Sequence, residues 1–180
     1  NDLGNLVSRT TAMVGKYFGP TLPEEQAADP ALDDGLIAQA GALRTDYEAQ
    51  MEHYAFQNAL SEVFRLVGRA NKYIDETKPW LLAKDEAQRP RLARVLYNLL
   101  ECVRISAVLL TPFMPQTCEK IFAQIGAEAG LRTWEAAGQW GLLPTGAKIS
   151  KGENLFPRID LKKELEELEQ AAQNAAAPAE

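Results

Sequence analysis

Histidine occurs once in this chain and cysteine twice. A metal centre needs several ligands converging at once, and the single His53, beside Glu52, has neither a second histidine nor a Glu-x-x-His spacing to work with. Cys102 and Cys118 lie in apolar helical surroundings without metal-ligand spacing. They are expected to be buried free thiols of a protein in a reducing compartment, the cytoplasm, rather than a disulfide. No apolar run is long enough to span a membrane, and the chain opens without a signal peptide. No glycine-rich phosphate loop follows a strand, because no segment reads convincingly as a strand, and nothing suggests an activated serine. No residue is therefore assigned to catalysis.

What remains is 46% hydrophobic and 24% charged over 180 residues, enough for one domain with a substantial core. The net charge of −6 is unevenly spread. Residues 160–180 carry six acids and two lysines, whereas residues 65–104 carry nine basic side chains against five acidic ones. Local potential governs contact, so this basic zone is compatible with a polyanion despite the acidic total; solvated helix faces would account for it equally. The chain begins at Asn1 already in a helical pattern, as a piece of a longer protein would.

The periodicity predicts an all-α fold, an antiparallel bundle of about five helices. Helix one covers about 2–18, with Leu3, Leu6, Val7, Thr10, Met13, Val14 and Tyr17 as its apolar stripe. Asp29-Pro30 starts a second helix over about 30–51, an N-cap followed by proline in the first turn. A third covers about 54–77, with Phe56, Leu60, Val63, Phe64, Val67, Asn71 and Ile74 on its inner side. The fourth, about 90–110, is apolar nearly all round and should be central. After "TPFMP" a fifth covers about 115–126. Residues 127–159 hold five glycines and two tryptophans, and are expected to be irregular or a small hairpin, packed on through Leu155 and Phe156. Within them "KISKG", 148–152, reads as a surface turn. The domain then covers 1–160, and 161–180 form a charged helix fading into an Ala-rich tail or linker.

One break stands out. In "NKYIDETKPWLLAKDE", residues 71–86, a helix runs into Pro79 and the next residue is Trp80. Proline removes a backbone donor and pushes the preceding residue out of the α region, so the helix stops or kinks there. Trp80 either plugs the end of the core or stands open as a platform on which an unpaired base stacks. Asn5 and Arg9, four apart on helix one, lie beside its apolar stripe. They are a polar flank, or a donor–acceptor set able to tell one pyrimidine from another, since a mismatched base leaves a buried polar group unpaired.

The stretches "LGNLVSR" at 3–9, "NKYIDETKPWLLAK" at 71–84, "LLTPFMPQTCEKIF" at 109–122 and "LFPRID" at 155–160 together resemble the anticodon-binding domain of the methionyl-tRNA synthetase family, a class I aminoacyl-tRNA synthetase. The resemblance implies a non-catalytic helix bundle that binds tRNA, not DNA or membrane, and reads the CAU anticodon of methionine tRNAs. It gives recognition of the first base, cytosine, to Asn5, Arg9 and Trp80, with Pro79 holding the indole and Asn1 joining them. The partners would be methionine tRNA and a catalytic domain of the same chain. This segment would need no cofactor of its own; the parent ligase would use ATP, with zinc a further candidate for its catalytic part. Alternatives are the bundle of another class I synthetase, for valine, leucine, isoleucine or cysteine, or a structural or protein-interaction bundle.

Overall fold

The computed structural model describes residues 2–157 and 161–176. Eight α-helices follow in chain order: α1 (Asp2–Tyr17), α2 (Pro30–Glu52), α3 (Phe56–Thr77), α4 (Pro79–Leu82), α5 (Arg89–Leu110), α6 (Pro115–Ile125), α7 (Trp134–Ala137) and α8 (Leu161–Ala176). Short 3-10 turns at Glu86–Gln88 and Ala129–Leu131 punctuate them, and the described residues contain no strand. The architecture is the all-α bundle expected; the hairpin alternative for residues 127–157 does not form, and that stretch is an irregular strap.

Local chemistry explains the element ends. Asp29 caps α2, its side chain accepting a hydrogen bond from the Ala31 N–H at 3.2 Å, and Pro30 occupies the first turn, where no donor is needed. Gly126 ends α6 at φ 66°, and a Cβ there would sit 2.6 Å from the Lys148 carbonyl, so only glycine lets the strap pass this close.

The core forms around α5, in which every residue from Val95 to Leu110 is buried. α1 packs on it through Leu3, Leu6, Val7, Thr10 and Val14, as its stripe predicts. α3 corrects the expectation: its inner face is Ala59, Val63, Leu66, Val67, Ala70, Tyr73, Ile74 and Thr77, while Phe56 and Phe64 are exposed. The buried stripe contains two alanines and admits close helix approach; the bulkier phenylalanines lie on the outer side. Cys102 and Cys118 are buried free thiols; burial pushes both up, Cys118 to about 11, so neither is a reactive thiolate near neutral pH.

Burying α5 on all sides takes Glu101 and Arg104 out of water, which is tolerable only if every charge finds a partner. The two form a bidentate pair at 2.8 and 2.9 Å. Glu101 also accepts hydrogen bonds from the backbone N–H groups of Gly141, Leu142 and Leu143, and Arg104 donates to the carbonyls of Leu131, Ala136 and Gln139. One buried ion pair thus clamps both halves of the strap to the central helix. Further along, the Ile149 and Ser150 N–H groups donate to the carbonyls of Pro20 and Gln124, and Ile149 is buried. Residues 148–152 thus lie at the surface as expected, Ile149 excepted, but form a pinned irregular segment rather than a turn. Leu155 and Phe156 pack against the core as foreseen.

Arg104→Met should lower the free energy of unfolding by about 3–5 kcal/mol, because it strands the Glu101 carboxylate in the interior. The same change at Arg65, whose pair with Glu62 lies at the surface, should cost less than about 1 kcal/mol. Denaturant titration of the two variants checks the contrast.

Candidate nucleic-acid interface

Pro79 dictates the geometry of the corner after α3. Its ring bars the preceding residue from the α region, so the helix must leave at Lys78, which takes the left-handed conformation at φ 47°, ψ 60°. For a side chain other than glycine this costs about 1–2 kcal/mol. The hydrogen bonding offsets it: the Lys78 N–H donates to the Ile74 carbonyl, closing α3, and the Lys78 carbonyl accepts from Leu81 N–H at 2.7 Å, opening α4. Pro79 is buried at the first position of α4, and Trp80, next to it, projects outward with 42% of its surface exposed. The reading in which Trp80 plugs the core is thereby excluded.

The corner is braced from beneath. Asp33 on α2 is buried; it receives both terminal nitrogens of Arg91 (2.8 and 2.7 Å), the Tyr73 hydroxyl (2.6 Å) and the Asp29 N–H (3.0 Å). Asn98 donates to the same Tyr73 hydroxyl at 3.1 Å, and Arg91 also reaches the Ala27 carbonyl. Four side chains from α2, α3 and α5 therefore meet just below the α3–α4 corner. Burial raises the Asp33 carboxyl, but the hydrogen bonds from Arg91, Tyr73 and Asp29 and the Arg91 charge outweigh it, and its pKa falls below the ordinary value. Nothing in the sequence pattern pairs Asp33 with Arg91, 58 positions away.

On α1, Arg9 and Asn5 are both exposed, one turn apart. Arg9 meets Asp75, in the last turn of α3, at 3.7 Å, so it is held against the helix whose end carries Trp80. Asp75 was not foreseen; an acid five residues before the tryptophan is the only signal, and it needs the α1–α3 packing to be read. Asn5 lines a polar cleft of about 530 Å³, together with Ser8, Gln124, Asn154 and Phe156. The structure thus brings Arg9 onto α3 and leaves Trp80 and Asn5 open on the surface, with no hydrogen bond or cation–π contact joining the three side chains. Asn1 and residues 158–160 of "LFPRID" lie outside the described residues.

Much of the basic zone is internally neutralised: Arg65 pairs with Glu62, Arg69 and Lys72 with Glu76, Arg89 with Glu86, Arg91 with Asp33, and Arg104 with Glu101. Lys78 and Lys84, on either side of Trp80, are exposed and make no ion pair among the described residues. Nor do three or more His, Cys, Asp or Glu side chains gather there to hold a metal ion. No helix among the described residues is long and apolar enough to cross a membrane.

A helix bundle that fixes an exposed indole between two unpaired lysines has the build of a binding module. The family model described as the anticodon binding domain of methionyl tRNA ligase matches residues 22–175, and the chain belongs to that family. It is 51% identical over 94% of its length to a methionine–tRNA ligase of Caldanaerobacter subterraneus subsp. tengcongensis, and 43% identical over 98% to that of Bacillus subtilis. It spans 26% of the length of either relative. Among solved structures, a Mycobacterium tuberculosis methionyl-tRNA synthetase bound by methionyl-adenylate superposes with a TM-score of 0.80 at 32% identity, over 87% of this chain and 31% of that one. The bundle of another class I synthetase and the purely structural bundle are both set aside by this membership.

The depressed Asp33 pKa carries a sign. Its stabilising effect is fully present above the ordinary aspartate range near 3.9 and is lost as pH falls through the lower folded value. The stability difference between wild type and Asp33→Asn should therefore be largest from neutrality down to about pH 5 and shrink steadily below about pH 4. Urea midpoints measured across that range check it.

Proposed function

We propose that this domain reads the CAU anticodon of methionine tRNA, as the non-catalytic part of a ligase that joins methionine to its tRNA with ATP. The observation that carries the reading is the exposed Trp80 at the Pro79 corner, at the end of the helix against which Arg9 is held. An indole fixed by a buried proline loses little entropy on binding, so stacking of an unpaired base keeps its full value of about 1–3 kcal/mol.

Cytosine presents one exocyclic amine donor beside two acceptors. The Asn5 amide can both donate and accept, and the Arg9 guanidinium donates in a fixed fork, so together they complement that edge. Uracil exchanges part of the pattern and would leave a polar group unpaired. Arg9 is available for this because its pair with Asp75 is long and solvent-exposed, and such pairs are worth less than about 1 kcal/mol. Pro79 would hold the indole, and Asn1, four positions before Asn5 in the sequence, would extend the polar set. ATP chemistry belongs to the catalytic part of the ligase; the contribution made here is selection of the tRNA that presents its acceptor end.

In the parent enzyme, Trp80→Ala should lower kcat/KM for tRNA charging by about 10–100-fold, the loss of one stacked base, and leave methionine-dependent ATP–pyrophosphate exchange unchanged. Charging at the wild-type rate would overturn the role given to Trp80.

A further inference from the structure

The polar cleft that Asn5 lines runs between α1 and the strap. Asn5 and Ser8 come from α1, the strap contributes residues Lys151 to Phe156, and Gln124 comes from the last turn of α6. The strap side is fixed before anything binds. The Ile149 and Ser150 N–H groups are tied to Pro20 and Gln124, and the Gln124 amide donates to the Glu153 carbonyl at 3.3 Å. Gly152 lets the chain pass this close, for a Cβ there would fall 2.6 Å from the Gln124 amide nitrogen. Hydrogen-bonding capacity is left over around the cleft. The Asn154 side-chain oxygen accepts from the Phe156 N–H at 3.2 Å, which leaves its amide donors, and the Asn5 and Ser8 side chains make no hydrogen bond among the described residues. The acid of the cleft, Glu153, pairs with Lys120 at 3.6 Å. Lys151 is exposed and makes no ion pair among the described residues.

We propose that this cleft seats a second nucleotide of the anticodon loop, the neighbour of the cytosine given to Asn5 and Arg9, with its phosphate on Lys151 and its base against Phe156. The chemistry selects that ligand. A nucleotide brings a flat face, an edge of donors and acceptors, and one negative charge. The cleft answers with the half-buried Phe156 ring, with amides and a hydroxyl, and with one uncompensated cation. Its volume falls within the roughly 300–1,000 Å³ of small-ligand sites. The cleft beside Phe18 and Arg89 does not match, since Glu25 and Glu86 border it and repel a phosphate. Position selects the source. Asn5 belongs both to the cleft and to the cytosine set, and Arg9 lies one turn, about 6 Å, further along α1. A loop that brings its cytosine to Arg9 carries the adjoining nucleotide to the cleft. Amides turn to present either a donor or an acceptor, and stacking is indifferent to the base, so this seat positions the loop and leaves the choice of base to the Trp80 corner. The proposal rests on the anticodon reading and extends its site.

Binding of methionine tRNA to the full-length parent enzyme, measured between about 50 and 200 mM salt, tests it. Lys151→Gln should weaken binding about fivefold at the lower salt and reduce the slope of log affinity against log salt by about 0.7, the share of one phosphate on a single strand. Lys151→Arg should restore both. Glu153→Gln should act in the opposite sense and tighten binding about twofold. Lys151 and Glu153 are exposed, so none of these changes threatens the fold. An unchanged slope in Lys151→Gln would overturn the proposal. A cycle with CAU stem-loops then locates the base. An abasic residue next to the cytosine, on one side or the other, should cost about tenfold more with the wild type than with Phe156→Leu. If the two proteins lose equally at both flanking positions, the base does not lie on Phe156 and the seat is overturned. Failure of the anticodon reading shows separately. A wild type that binds CAU and UAU stem-loops alike would overturn that reading and this seat with it, whereas a preference for CAU with an unchanged Lys151→Gln slope would overturn the seat alone.

Discussion

A charged side chain leaves water only when each of its polar atoms is met, and the central helix carries three such residues. Arg91 enters the helix bound to Asp33, and Glu101 and Arg104 lie fully buried a few turns on. Pairs of this kind add little net stability over well-packed apolar side chains; what they add is geometry. Leucines at 101 and 104 would pack against any apolar strap in several registers. A carboxylate that accepts three consecutive backbone N–H groups, beside a guanidinium that donates to three carbonyls, accepts one register. The irregular stretch after α6 forms no regular ladder of its own; its apolar side chains pack on the core, and this clamp fixes their register.

The same logic at Arg91 reaches the surface. Asp33, Tyr73 and Asn98 tie three helices at the level where α3 is about to end, so the corner at Lys78 and Pro79 is built on a base that cannot slide. A base-stacking platform needs this more than it needs a large contact area. An unstacked nucleotide is already costly to present, and any motion of the indole would add to that cost. The left-handed strain at Lys78 is small beside the stability of the bundle and is confined to the residue that proline leaves no better option.

Helix positions and the central place of α5 were legible in the sequence, because periodicity, Asp29-Pro30, Pro115 and Gly126 report them locally. The face of α3 was not. Phe56 and Phe64 looked like core because aromatic bulk outweighs alanine in any hydrophobic pattern, yet Ala59 and Ala70 are the residues that let α3 approach its neighbours. An exposed phenylalanine and a buried one carry the same sequence signal. Trp80 and Arg9 were legible as candidates; the exposure of Trp80 and the pairing of Arg9 with Asp75 were not, since the first depends on how the Pro79 corner seats on the bundle and the second on how α1 meets α3. Asp33 could not be found at all, for an acid in the first turn of a helix is ordinary and its partner is remote in sequence.

The charge distribution bears on how such a domain discriminates. If affinity rested on a broad cationic surface, all tRNAs would bind nearly alike, because phosphate contacts are blind to sequence and release counterions regardless of the base. Here most cations of the basic zone are consumed in ion pairs within the bundle, and the exposed remainder, Lys78 and Lys84, flank the indole. On the proposed reading, two lysines would attract an anticodon loop to the corner but be too few to hold it there against salt. Retention must then come from stacking and from hydrogen bonds to the base edge, the contributions that depend on which base is present. On the proposed reading, a basic zone whose exposed unpaired lysines are the two beside the indole is thus better suited to choosing among tRNAs than a uniformly basic surface would be.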